Sequence, residues 1–165
     1  MVSSSARATT AQESRFRIDA PNARPRTVKV IALDTGSEHV LRRLAQGEWQ
    51  NATFLRAPQG PAPSQPVGGW LAGLAGETMN LIEEIASANV VVTLSTAGEN
   101  SEIAGVVADA CRAQGKLLTA LILDADGASE AALLKTLVPL RPHAAMLVVA
   151  SGEDYVEGML TALRA

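Results

Sequence analysis

Five short runs of β-branched and aliphatic residues, each followed by residues at helical spacing, constrain this 165-residue chain more than any other feature. The plainest run is Val90-Val91-Val92-Thr93-Leu94, apolar at successive positions, as a strand covered on both faces must be. The others are residues 28–33, 53–55, 117–123 and 145–150. Helices are expected between them. Val40, Leu41 and Leu44 share one face, Leu71, Leu74, Ala75, Met79, Ile82 and Ile85 line a helix over residues 70–86, and Ile103, Val106, Val107, Ala110 and Cys111 form a third set. Ser129 caps a segment with Leu133, Leu134 and Leu137 inside, and residues 153–163 make the last helix. Alternation of this kind predicts an α/β fold, with a doubly wound, parallel five-stranded sheet between two helical layers, Rossmann-like, as a single domain over residues 27–165. Residues 1–26 show no sustained period and end in Pro21 and Pro25, which reads as a flexible tail. Residues 57–69 hold too many prolines for helix or central strand and read as a loop.

Composition narrows the function classes. Hydrophobic residues make up 47%, and the aromatics are two Phe, two Trp and one Tyr, so the core is aliphatic and no base-stacking surface is available. Net charge is −3, which excludes a nucleic-acid footprint apart from Arg7, Arg15, Arg17, Arg24 and Arg26 near the N-terminus. No apolar run reaches the roughly 18 residues that span a bilayer, and residues 1–26 lack the apolar stretch of a secretory signal. The single cysteine excludes an internal disulfide and a multi-cysteine metal site, and a reducing cytoplasm is the expected compartment.

Residues 89–105 carry the chemistry. Ser95-Thr96-Ala97-Gly98-Glu99-Asn100-Ser101 follows the central strand and precedes a helix, the junction where α/β proteins hold anions on free backbone N–H groups. Ser95, Thr96, Gly98, Asn100 and Ser101 offer hydroxyls, an amide and a residue free to adopt positive φ. Glu99 and Glu102 stand against a second anion there, and Thr96 to Glu99 has the spacing of a capping box that needs no ligand. Both readings are open.

Several pieces resemble the N-terminal domain of the bacterial tubulin-like cell-division GTPases, the FtsZ family. Val28-Lys29-Val30-Ile31 with Gly36-Ser37 resembles its first strand and first loop. Leu81-Ile82-Glu83-Glu84-Ile85 with Ala88 to Thr93 resembles the helix and strand before its phosphate loop, and Thr96-Ala97-Gly98 resembles the start of that loop. Gly115 to Thr119 and Leu140 to Val149 continue the likeness. The family's glycine signature is absent, replaced by Asn100-Ser101-Glu102-Ile103-Ala104, and Asp34-Thr35 replaces glycines of the first loop. The resemblance implies the nucleotide-binding scaffold without its GTPase machinery, with strand order 2-1-3-4-5. The loops at 34–38 and 95–100 then face each other across the switch-point crevice. The strand, Ser-Thr-x-Gly, helix pattern also resembles the sugar-isomerase (SIS) domains, which implies a phosphosugar enzyme or sensor as the alternative.

The candidate ligand residues are therefore Asp34, Thr35, Gly36 and Ser37 on one side and Ser95, Thr96, Gly98, Glu99, Asn100 and Ser101 on the other. A helix cap by Thr35 or Ser37 is the plainer reading of the first loop. Asp34 and Glu99 together suit a cation or a polyol, or repel nucleotides. No catalytic constellation, metal set or cofactor motif is read. Asp124-Ala125-Asp126-Gly127 is a turn, Cys111 a buried hydrophobe, and Glu83-Glu84 and Arg42-Arg43 solvated faces. Trp49 and Trp70 read as covers of the sheet edge or as exposed anchors for a partner. The partners left open are a small anionic or polyol ligand, a protein, and another copy of the chain.

Overall fold

A computed structural model of the chain describes residues 24–59 and 70–165. Most of the expected tail, up to residue 23, and the part of the proline-rich loop at 60–69 lie outside the described residues. The chain forms a mixed α/β sheet with helices on both faces, a Rossmann-like arrangement. β1 (Val28–Ala32) is buried throughout and leads through Asp34 into α1 (Thr35–Leu44). β2 (Ala52–Arg56) returns parallel to β1. β5 (Val90–Thr96), α3 (Ala104–Ala113), β6 (Leu118–Leu123), α4 (Glu130–Leu140), β7 (Met146–Val149) and α5 (Glu153–Ala162) follow in the alternation that their periods predict.

Two expectations are corrected between β2 and β5. No helix runs from residue 70 to 86. Leu71–Gly73 (β3) and Thr78–Met79 (β4) form an antiparallel hairpin, and only Leu81–Ser87 is helical (α2). Glycine decides this: Gly76 has φ +93°, a turn conformation, and Gly73 and Gly76 in a helix would each cost about 1 kcal/mol against alanine. Asn80 then starts α2 by accepting from Ile82 N at 3.0 Å. The sheet consequently has seven strands in the order β4-β3-β2-β1-β5-β6-β7 and is mixed, not five-stranded and all-parallel in the order 2-1-3-4-5. β3 pairs antiparallel with β2, while β2, β1, β5, β6 and β7 run parallel to one another.

Two apolar clusters fill the space between the layers. One holds Ile31, Leu55, Ile85, Val91, Val107 and Ile122 under α2, α3 and α4, and the other holds Val30, Leu41, Val92, Leu121, Val156 and Leu160 under α1 and α5. Trp70 is buried in the first; Trp49 sets its ring edge-on to Phe54 and donates from Nε1 to the Leu44 carbonyl at 2.6 Å. Both therefore cover the sheet, and the exposed-anchor reading is set aside. Glu84 is also corrected: instead of a solvated face, it accepts from the buried Lys29 Nζ at 2.7 Å, which also reaches Thr53 Oγ1 at 3.1 Å. No helix among the described residues is long and apolar enough to cross a membrane.

Candidate functional site

The topological switch lies between β1 and β5, because the chain leaves β1 for α1 on one face and β5 for α3 on the other. Strand alternation sorts the candidate residues there. Thr96 shares its face with Val92 and Leu94, toward α1, whereas Ser95 points to the opposite face and is fully buried, its Oγ without a hydrogen-bond partner among the described residues. Ser95 therefore does not line the crevice.

Asp34 fills it. The side chain is buried, and Oδ1 accepts from Ser37 N at 2.8 Å and from Thr96 Oγ1 at 2.8 Å, while Oδ2 accepts from Thr96 N at 2.8 Å. Ser37 completes the cap from its own side, Oγ accepting from Asp34 N at 3.2 Å. The first loop is thus a capping box built on Asp34, with Thr35 exposed at the helix start. Gly36 lets the two sides close. A Cβ there would lie 2.4 Å from Thr96 Oγ1.

The turn after β5 is bound inward by Thr136, a residue of α4 that the sequence does not single out. Thr136 is fully buried; its Oγ1 accepts from Gly98 N at 2.9 Å and donates to the Glu99 carbonyl at 2.7 Å. Ser101 Oγ donates to the Thr136 carbonyl at 2.6 Å. Gly98 takes φ +96°, which favours glycine. Glu99 and Asn100 are exposed, and Asn100 Oδ1 accepts from Glu102 N at 2.8 Å. The capping-box reading of Thr96 and Glu99 is corrected, because α3 starts only at Ala104 and Thr96 faces Asp34 instead. The backbone N–H groups of Ala97, Glu99, Ala104 and Gly105 donate to Leu123, Thr96, Ser101 and Glu102 carbonyls, whereas those of Asn100, Ser101 and Ile103 meet no acceptor among the described residues.

Arg56 and Glu38 beside the crevice are paired. Arg56, at the carboxyl end of β2, has Nη1 3.9 Å from Glu38 of α1, and Glu38 also accepts from Arg42 at 2.6 Å. No group of three or more His, Cys, Asp or Glu able to hold a metal occurs among the described residues. Cys111 is buried, and burial pushes its thiol up to about 11, partly offset by Arg112, so it is a neutral thiol at ordinary pH. Residues 124–127 form a turn containing a short 3₁₀ segment.

No family model matches the chain, and no curated protein matches it in sequence. Among solved structures, the chain is similar to translation elongation factor SelB from Methanococcus maripaludis in complex with the GTP analogue GppNHp, with TM-score 0.51 and 8% identity over 84% of this chain and 34% of that one. The apo form of the same factor gives TM-score 0.49 and 10% identity over 85% and 37%. The chain thus spans about a third of the length of those proteins. At 8% identity, the likeness to the complex is one of fold: an α/β sheet flanked by helices.

Proposed function

We propose that this chain is a nucleotide-type α/β scaffold, a degenerate relative of the FtsZ nucleotide-binding domain, that has lost phosphate binding and works as a protein-interaction module with a regulatory role. The observation that carries the reading is the Asp34 carboxylate, held across the switch-point crevice by Ser37 and Thr96. A ligand phosphate placed there would meet a buried negative charge. At about 4 Å and an effective dielectric constant near 20, the repulsion is about 4 kcal/mol. To reach the Thr96 and Gly98 N–H groups it would also have to displace Asp34 and Thr136. The glycine-rich cradle that would offset these costs is missing from the sequence.

Calorimetric titration of the full chain with GTP and GDP, in the presence of magnesium, tests this. The expected result is no saturable heat up to millimolar nucleotide. Micromolar binding would overturn the proposal. A thermal-shift panel of sugar phosphates tests the phosphosugar alternative, because a ligand at 100 times its dissociation constant stabilises by about 2.7 kcal/mol. No shift across the panel is expected.

A further inference from the structure

The exposed apolar side chains are not scattered. Of the six large ones exposed among the described residues, five lie at one end of the sheet: Leu134 and Val138 of α4, Met146 and Val149 of β7, and Tyr155 of α5, each 43 to 61% accessible. The sixth, Leu117, stands before β6. Among the described residues, β7 is an edge strand with no neighbour beyond it. Its two flanking helices turn apolar flanks the same way. On α4, Thr136 faces the β5 turn, and Leu134 and Val138 project from the opposite side of the helix. On α5, Glu153 faces α1 through Arg43 at 2.8 Å, and Tyr155 and Met159 lie on the side away from it. A cavity of about 500 Å³ runs along that side, lined by Asp154, Tyr155, Gly158, Met159, Ala162 and Leu163.

The other edge of the sheet is protected. β4 is two residues long, and short edge strands resist pairing. β7 has none of the usual protections: Met146-Leu147-Val148-Val149 contains no charge and no proline. An edge of this kind, flanked by apolar helix faces, marks a surface that another strand covers.

We infer that the β7 edge is the interface of a homodimer in which β7 pairs antiparallel with β7 of a second copy. Charge selects this occupant and this direction. Arg141 precedes β7 and Asp154 follows it, so the strand has a positive charge before its start and a negative one after its end. Arg141 makes no ion pair with any described residue. A parallel partner would set like charges together. Directly opposed side chains share a face, so the two-fold axis passes through a like pair: at Val148 it sets Val148 against its own copy and Leu147 against Val149 of the partner subunit, and it brings Arg141 to the same end as Asp154 of the partner subunit. The same axis, perpendicular to the sheet, places Leu134 and Val138 against their own copies on one face and Tyr155 and Met159 against theirs on the other. The two sheets then join as one continuous sheet across the interface.

This deepens the interaction-module reading, and its test is independent of the crevice. Sedimentation and light scattering on the full chain should give twice the 17.2 kDa chain mass at micromolar concentration. Val149→Lys, which puts like charges across the axis, and Val138→Glu, which leaves the strand untouched, should each weaken dimerisation by about tenfold or more while far-UV circular dichroism is unchanged. Arg141→Glu and Asp154→Arg should each weaken it, and the two combined should restore it, because every dimer then again carries unlike charges at each end. A single-chain mass at all concentrations, or a dimer indifferent to the Val149 and Val138 changes, would overturn the inference. A monomer that binds no nucleotide would remove the dimer alone, and a dimer that binds GTP would remove the function proposed above alone.

Discussion

Replacing Asp34 tests whether the crevice is held shut by its own side chains. Asp34→Ala removes the N-cap of α1, which costs about 1 kcal/mol, and leaves the Thr96 N–H without its acceptor, which costs about 1–3 kcal/mol more. The sum is about 2–4 kcal/mol, and for a chain of this length each kcal/mol lowers Tm by about 2–4 °C, so a fall of about 4–16 °C is expected. Asp34→Asn separates the two terms. Asparagine caps a helix as well as aspartate does. It has one acceptor oxygen in place of two, so its amide NH₂ must face the Thr96 N–H, donor against donor. Scanning calorimetry and urea midpoints should therefore show Asp34→Asn losing about 1–3 kcal/mol although the cap survives. A variant within about 0.5 kcal/mol of the parent, the ordinary range of a surface substitution, would refute the reasoning, because the contact across the crevice would then contribute nothing.

Gly36→Ala should cost about 1–3 kcal/mol by driving a Cβ into Thr96 Oγ1, and adding Thr96→Ala should cost less than the separate losses predict; strict additivity in urea denaturation would show that the two loops do not touch. Glu84→Ala leaves the buried Lys29 ammonium without its counter-charge, with only Thr53 Oγ1 to accept from it, and should cost about 3–5 kcal/mol, whereas Lys29→Met with Glu84→Leu should stay near the parent in the same assay. The Cys111 thiol is raised in the folded chain to about 11 from 9.0, so its contribution to stability is complete below about pH 9 and is lost as pH climbs toward 11; Cys111→Ala should flatten that part of the stability profile, measured as urea midpoints on both sides of pH 9.

The central strands β1, β5 and β6 were legible as mostly apolar runs, because a strand covered on both faces leaves no alternation. The β3–β4 hairpin was not. Leu71, Leu74, Ala75 and Met79 fall at helical spacing by coincidence, and the backbone requirement of Gly76 outweighs the period. The cap at Asp34 was legible as a short polar side chain before a helix, but its second role across the crevice was not, because Thr96 lies 62 residues away. Ser95 was grouped with Thr96 by adjacency, although alternation sends neighbours on a strand to opposite faces. Thr136 left one weak signal: a hydroxyl among Leu133, Leu137 and Leu140 on the inner face of a helix, where a buried polar group must find partners. Nothing in the sequence says that those partners belong to the Gly98 turn.

Helix α4 joins the closed crevice to the open edge. Its buried side carries Thr136, which fastens the turn after β5, and its opposite side carries Leu134 and Val138 beside β7. The hydrogen bonds that close the crevice therefore also fix where the apolar stripe stands relative to the edge strand. An open phosphate loop would free the turn from Thr136 and leave α4 held mainly by Leu133, Leu137 and Leu140. A scaffold that binds nucleotide gains from such freedom, since loops that close on a ligand are drawn from the less stable parts of a fold. A scaffold that pairs through its edge gains from the reverse, since a surface held in its bound geometry loses less entropy on association. On the reading proposed above, the Asp34 and Thr136 contacts hold α4 where recognition at the end of the sheet needs it.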